Sequence, residues 1–424
     1  MNRKIFVKLI ILLNLAIIIL FFDESIFGQP YEQHPASKFR CVKLFEKQLP
    51  GETMLTVRAF DLKHKNNKNA VAVCGKKIYI FSPRGTLLFQ NKADIFVLGT
   101  WQIRVAKLSK DGYYDNIVVS DGETTAQIFD RMGMKVGSIS GKIDNFYNKD
   151  LNNDGCDELI FNGSAYYTQD GGITWDLLWH NRKLTYHMDD IKDWGNEGGL
   201  CCNRYSGNPG LVFAIDRNGN IIFKNAEIYG GHVRCLVAGN FTGSGIKDNI
   251  AVPTATGIVY ILSKTGKTIR RFETVINGEA VNMSEPTEIL AGKLVEGNIT
   301  DEIVLSGRRG LAAFDANGKV LWSYFKGLPG GRVDDLYLSD LDGDGKNEII
   351  AGKWNVIIIL SNEGILIDKV SLTGELSKWK SDRPTVDVAD INNDGYPEIM
   401  AVTDEGYFYI IGIKKDKTQS VNMQ

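Results

Sequence analysis

The residues best placed to do chemistry fall in three loops of one pattern, Asp-x-Asp/Asn-x-Asp-Gly-x-x-Glu. They are Asp150, Asn152, Asp154 and Glu158; Asp340, Asp342, Asp344 and Glu348; and Asp390, Asn392, Asp394 and Glu398. Side chains two apart in a tightly curled loop converge on one centre. The glycine that follows allows the bend, and the next backbone carbonyl (Cys156, Lys346 or Tyr396) points inward. Hard oxygen donors in a flexible loop suit Ca2+, whereas Mg2+ keeps more of its water. About three calcium sites are therefore expected. The alternative reading is an Asx-type turn whose side chains cap local amides without an ion. Even with calcium, such loops act as staples inside a fold and carry no reaction.

Sister loops show what replaces the ion. Lys107 leads Ser109, Asp111, Gly112 and Asp115, and Lys293 precedes Asp301 and Glu302. In both, an ammonium is expected to serve as internal counter-charge with no calcium bound. Asn240, Thr242, Ser244, Gly245 and Asp248 remove most of the negative charge. Asp61 is followed by Lys63 and Lys65, giving the same expectation there.

Each loop belongs to a repeat. Its first half runs from a short strand through the polar loop into small apolar residues, marked by Val71, Ile117, Leu159, Ile250, Ile303, Ile349 and Ile399. The second half is an alternating hairpin around a glycine: Gly85, Gly133, Gly171 or Gly172, Gly219, Gly266, Gly318 and Gly364. The spacing of about 40–50 residues is that of four-stranded propeller blades. The long interval from Leu159 to Ile250 holds one further unit with a degenerate first half. The fold class is all-β: a propeller of about eight, at least seven, blades. The last unit, ending in Tyr407–Ile413, is one strand short, and Phe39–Phe45 is an orphan strand before the first. The orphan is expected to complete the last blade and so remove a raw sheet edge. A solenoid is the alternative, but neither end carries a visible cap.

Lys+Arg 49 against Asp+Glu 51 in 424 residues, with 43% hydrophobic residues, excludes a disordered chain, a polytopic membrane protein and a polybasic nucleic-acid binder. Arg3, Lys4 and Lys8 precede an apolar run from Leu9 to Phe22 broken by Asn14. Residues 1–28 read as an export signal, either cleaved or retained as a single membrane anchor. A linker follows at 29–38, then the propeller at 39–417 and a tail at 418–424. The localisation expected is outside the cytoplasm: secreted, periplasmic, or anchored and facing outward.

The three acidic loops, each followed by Glu-Ile or Glu-Leu and small apolar residues, resemble the FG-GAP or VCBS repeats of integrin α-subunit propellers and exported bacterial proteins. That resemblance implies a calcium-stapled scaffold for adhesion, ligand binding or carbohydrate-related work. The units are shorter than the integrin type and lack a Phe-Gly…Gly-Ala-Pro signature. Thr168, Asp170, Gly172 and Trp175 are similar to the Asp-box of sialidase-like propellers, where it is structural. Asp315, Gly318 and Trp322 are similar to the repeat of quinone-type propellers, and Cys201-Cys202 invites the same comparison.

Six cysteines in an exported chain allow disulfides, with Cys201 and Cys202 the better candidates and Cys74 a buried apolar residue. No nucleophile elbow or zinc motif accompanies the five histidines. Trp179, His180, Tyr186, His187, Trp194 and Tyr205 crowd one stretch and form the candidate ligand surface, since rigid aromatics with polar tips suit sugar or protein contact. The plain alternative is a long loop packing its own side chains. The function expected is a non-catalytic binding or adhesion scaffold for a protein or carbohydrate ligand. The alternatives are a polysaccharide-lyase-type enzyme on a calcium propeller and a quinoprotein-like oxidoreductase.

Overall fold

The computed structural model describes residues 39–415 except 54, 63–67, 94–101, 111–114, 122–123, 142, 144–145, 186–187, 189, 196–197, 205–206, 277–278, 281–285, 308–309, 326–332, 334 and 377–384. The expected signal, linker and tail lie outside these residues, as do Tyr186, His187, Tyr205, Lys63, Lys65 and Asp111.

Each repeat becomes one four-stranded antiparallel sheet in simple meander order, and eight such blades form a ring. Blade 1 spans Thr56–Phe60 to Leu87–Lys92 and blade 2 spans Gln102–Ala106 to Lys135–Ser140. Blade 3 spans Tyr147–Lys149 to Asp176–His180 and blade 4 Asp190–Trp194 to Ile221–Ile228. Blade 5 spans Val237–Gly239 to Thr268–Glu273, blade 6 Ile289–Gly292 to Val320–Tyr324, and blade 7 Asp335–Ser339 to Leu366–Ser371. Blade 8 takes Val386–Ala389, Glu398–Val402 and Tyr407–Lys415 from the C-terminal repeat. Its outer strand is Phe39–Gln48, paired antiparallel so that Phe39 faces Lys415 and Gln48 faces Tyr407. The orphan strand thus closes the ring, as its pattern predicts. The degenerate unit is blade 4, and a small hairpin, Val275–Ile276 with Glu279–Ala280, lies between blades 5 and 6.

The second strand of a blade is buried end to end, as in Ala70–Cys74, Glu302–Ser306 and Glu348–Lys353. Outer strands such as Leu87–Lys92 are largely exposed. A strand covered on both faces must be apolar on both, which is why these segments read as continuous greasy runs. Successive side chains serve opposite neighbours. Ile399 and Ala401 pack with blade 7 residues such as Ile350 and Ile359, while Met400 and Val402 pack with Val57, Val71 and Phe81 of blade 1. Eight apolar clusters fill the eight joints between blades, so the ring has no open seam among the described residues.

The same alternation overturns the disulfide expectation. Cys201 faces the core shared with blade 5 and Cys202 the core shared with blade 3, so the two thiols point to opposite sides of one strand. All six cysteines are free, and Cys74 is fully buried as expected.

Phe39 is 1% exposed and sits in the blade 7–8 core with Tyr409 and Ile411. Phe39→Ala should cost about 3–5 kcal/mol in denaturant unfolding. A loss below about 1 kcal/mol would show that the closing strand contributes little to the ring.

Candidate metal loops and the inter-blade contacts

All three acidic loops join the first strand of a blade to its second, in blades 3, 7 and 8. In an up-and-down meander these connections fall on one face of the ring. The three are built alike. The first aspartate takes two amides at its Oδ2 and Oδ1: Gly155 and Asp154 donate to Asp150 at 2.9 and 3.1 Å, Gly345 and Asp344 to Asp340 at 2.9 and 3.1 Å, and Gly395 and Asp394 to Asp390 at 2.9 and 3.2 Å. Asn152, Asp342 and Asn392 each accept the amide two residues on, at 2.8, 3.0 and 2.8 Å. Asp154, Asp344 and Asp394 then cap Cys156, Lys346 and Tyr396, each at 2.9 Å. The chain turns through a left-handed residue at Asn153, Gly343 and Asn393, the residue types that tolerate φ > 0.

The closing glutamate is buried in every case. Glu158 accepts Leu151 N at 2.6 Å, Glu348 accepts Leu341 N at 2.8 Å and Glu398 accepts Ile391 N at 3.0 Å. Burial first, and then the loop aspartates, push each of these three carboxyls up to about 7. Asn152 donates its side-chain amide to Glu158 at 2.8 Å, and Asn392 does the same to Glu398. Blade 7 has Asp342 instead, and there Asp340, Asp342 and Glu348 each offer an oxygen within 4.8 Å of the others. Four carboxylates and no amide make blade 7 the loop whose donors best fit a hard dication; Asp340, Asp342, Asp344 and Glu348 would hold it.

Loops without the acidic set keep the same frame. Glu302 accepts Leu294 N at 2.7 Å and Asn298 Nδ2 at 2.6 Å, and Asn249 accepts Phe241 N at 3.1 Å. Lys293 reaches its own loop, 3.5 Å from Asp301, as its spacing suggests. Lys107 also comes close to blade 3, where a Cβ on Gly155 would stand 3.9 Å from its Nζ; Asp111 of its own loop lies outside the described residues. Lys110 sits 3.4 Å from Asp154 of that blade 3 loop. Blade 2 therefore lends a cation, Lys110, to the acidic loop next door.

The aspartate just before the second strand ties blades together. Asp115 accepts Asp61 N at 2.9 Å and returns its amide to Asp61 O at 3.0 Å. Asp157 does this with Lys107 (3.0 and 2.7 Å) and Asp301 with Asn240 (2.8 and 2.9 Å). Sequence reading places Asp115 and Asp301 in loops where a lysine replaces the ion and gives Asp157 no role. Their position immediately before the buried strand is the signal for the clasp.

Three members of the aromatic stretch lie among the described residues, and each has protein partners. Trp179 donates Nε1 to Arg217 O at 2.9 Å and lies on Gly219 of blade 4. Trp194 is buried, donates to Asp248 O at 3.0 Å and meets Phe223 edge to face. His180 hydrogen-bonds Ser164 at 2.8 Å on the outer strand of blade 3. The three described members thus serve blade joints and a blade edge. The same device recurs: Phe45 lies on Gly85, Phe223 on Gly266, Phe272 on Gly318 and Trp322 on Gly364, each aromatic on an outer strand and each glycine in the next blade's hairpin. The Asp-box is likewise a brace, with Asp170 accepting Ile173 N, Thr174 N and Thr174 Oγ1. Although burial pulls the other way, these donors and Thr168 hold its carboxyl down to about 2.

This architecture defines a closed eight-bladed β-propeller. A family model described as an FG-GAP-like repeat matches residues 340–401, which hold the acidic loops of blades 7 and 8. The chain is thus an eight-bladed β-propeller whose residues 340–401 match an FG-GAP-like repeat. No curated protein sequence matches it. Among solved structures, Sqt1 of Saccharomyces cerevisiae is similar at 10% identity and TM-score 0.61, over 90% of this chain and 100% of that one. Sqt1 of Chaetomium thermophilum bound to the N-terminus of ribosomal protein L10 is similar at 11% identity and TM-score 0.57, over 86% and 98%. BBS1N in complex with ARL6DN is similar at 11% identity and TM-score 0.52, over 91% and 99%. These likenesses show a shared fold.

Gly219 and Gly245 both have positive φ, but a Cβ on Gly219 would stand 2.5 Å from the Trp179 ring whereas Gly245 has nothing within 4 Å. Each alanine variant should lose about 1 kcal/mol to backbone strain. Gly219→Ala should lose a further ~1–3 kcal/mol from overpacking. Equal losses in urea unfolding would mean that the aromatic-on-glycine contact has slack.

Proposed function

We propose that the chain is an exported, calcium-stapled propeller acting as a protein-binding scaffold. The carrying observation is the use of its polar residues. The acids, amides and tryptophans that look chemically able are taken up as turn caps, inter-blade clasps and ring contacts, which produce a rigid ring with loops on two faces. Rigid scaffolds that present loops are what binding surfaces need. Propellers of similar fold are recorded with protein partners, ARL6 for BBS1N and the L10 N-terminus for Sqt1. Export rests on the basic residues ahead of the Leu9–Phe22 run. Among the described residues no helix is long and apolar enough to cross a membrane. N-terminal sequencing of the mature chain from fractionated cells reads the export step directly.

The scaffold reading is tested by capture on the immobilised full-length protein in calcium, followed by titration with each captured protein made recombinantly. Saturable one-to-one binding, competed by free propeller, is the expected result. Signal equal to that of an unrelated propeller would overturn it.

Calcium would be held first by blade 7, then by blade 8, and most weakly by blade 3, where Lys110 already pairs with Asp154. The ion supplies positive charge at the loop centre. The protein supplies the carboxylates, the left-handed turn and the buried glutamate. Because Glu158, Glu348 and Glu398 are raised to about 7, their contribution to stability is full below the ordinary carboxylate range and is lost as pH climbs through about 7. In chelator the melting temperature should therefore fall between about pH 4.5 and 7.5, and calcium should restore it at the upper end. Asp342→Asn should weaken the tightest calorimetric site and leave the others. No calcium response at pH 7.5 would reduce the loops to self-capped turns.

A further inference from the structure

The residue three before the first loop position, on the first strand of its blade, is half-buried in all eight blades, and these positions form a ring: Arg58, Arg104, Tyr147, Lys192, Val237, Leu290, Tyr337 and Asp387. This ring carries three cations and one carboxylate. Arg58 Nη1 is 3.4 Å from Asp387 and 3.2 Å from Tyr337 OH, and Lys192 is 3.1 Å from Asp190. Arg104 has no carboxylate within salt-bridge distance among the described residues. Its Nε donates to Phe146 O at 2.7 Å, and its guanidinium lies 4.9 Å from the Tyr147 ring centre. Those contacts fix the plane of the group and leave its two Nη donors with no hydrogen-bond partner among the described residues. Burial, and then the like charge of Arg58, lowers its pKa, against the opposing pull of Tyr147, Asp190 and Tyr337.

Arg104 lines a cavity of about 370 Å³ between the inner strands of blades 8, 1 and 2, with Arg58, Lys68, Asn148 and Asp387. Its size is at the small end for ligand sites. Lys68 pairs with Asp115 at 2.8 Å, and Asp387 already accepts Ala59 N at 2.7 Å. Asn148 spends its amide on Val105 O and Asp157 at 3.0 and 2.8 Å. The unmet demand in the cavity is for negative charge at the Arg104 fork.

We propose that this cavity binds a carboxylate group, received by the paired Nη donors of Arg104 with Lys68 and Arg58 adding positive potential. A planar fork matches a carboxylate with two parallel hydrogen bonds, where a lysine would offer a point charge. The carboxylate can come from a small free acid or from the C-terminus of a peptide. The assignment is independent of calcium and of the scaffold reading, because no loop ligand lines the cavity.

The experiment is calorimetric titration of the full chain, at constant ionic strength, with succinate, with a short neutral peptide ending in a free carboxylate, with its C-terminally amidated form, with succinamide, and with inorganic phosphate. Saturable binding of succinate or of the free-carboxylate peptide, at about 1 mM or tighter, with none for succinamide or the amidated peptide, is expected. Whichever acid binds identifies the source. Arg104→Gln should weaken that binding about tenfold or more, and Arg104→Lys should recover part of it. Lys68→Gln should weaken it less. The wild-type comparison of acid with amide stands even if an Arg104 variant folds poorly. Binding of phosphate alone, no saturable binding of either acid, or unchanged binding by folded Arg104→Gln would overturn the proposal.

Discussion

The structure depends on one constraint: the second strand of every blade is covered on both faces, so no blade can bury its core alone. Ile399 and Ala401 need blade 7, and Met400 and Val402 need blade 1. A row of such sheets always leaves two unsatisfied ends, and the chain removes them by bending the row into a circle. Closure then requires the last blade to be as wide as the rest. Phe39–Gln48 supplies the missing strand, and eight cores for eight blades are the result.

Polar groups repeat that logic on the loop face. A buried amide at the second loop position needs an acceptor, and the first residue of the buried strand provides it as Glu158, Glu302, Glu348, Glu398 or, shorter and neutral, Asn249. The preceding aspartate in Asp115, Asp157 and Asp301 reaches the neighbouring blade. In Asp157-Glu158 and Asp301-Glu302 adjacent acids thus divide the work: the glutamate holds its own loop and the aspartate holds the preceding blade's. Where carboxylates accumulate, as at Asp340, Asp342 and Glu348, the frame is the same and their oxygens lie within 4.8 Å of one another.

Much of this was legible in the chain. Period-two hairpins around Gly318 or Gly364, and acid-to-glycine spacing such as Asp340 to Gly345, report local backbone geometry, and local geometry is what a sequence encodes directly. The closing strand was legible because one repeat lacked what an orphan segment offered. The roles of Trp179, Trp194 and Cys201-Cys202 were not. Their meaning depends on which neighbour each faces, and a single residue of offset reverses the answer, as Cys201 and Cys202 show by facing different blades.

The ring of first-strand positions was hidden for a further reason. Arg58, Arg104 and Asp387 share no motif; what they share is a fixed distance from loops that do. Once the repeats are aligned on the first loop position, the third residue before it becomes a column. That column holds a half-buried side chain in every blade, packed against a joint core at Val237, Leu290, Tyr147 and Tyr337 and charged at Arg58, Arg104, Lys192 and Asp387. Three cations gathered at such a position, one of them held in plane by a carbonyl and a tyrosine ring yet given no acid, are costly for folding alone. The loops make the ring, and this column is where the sequence departs from what making a ring requires.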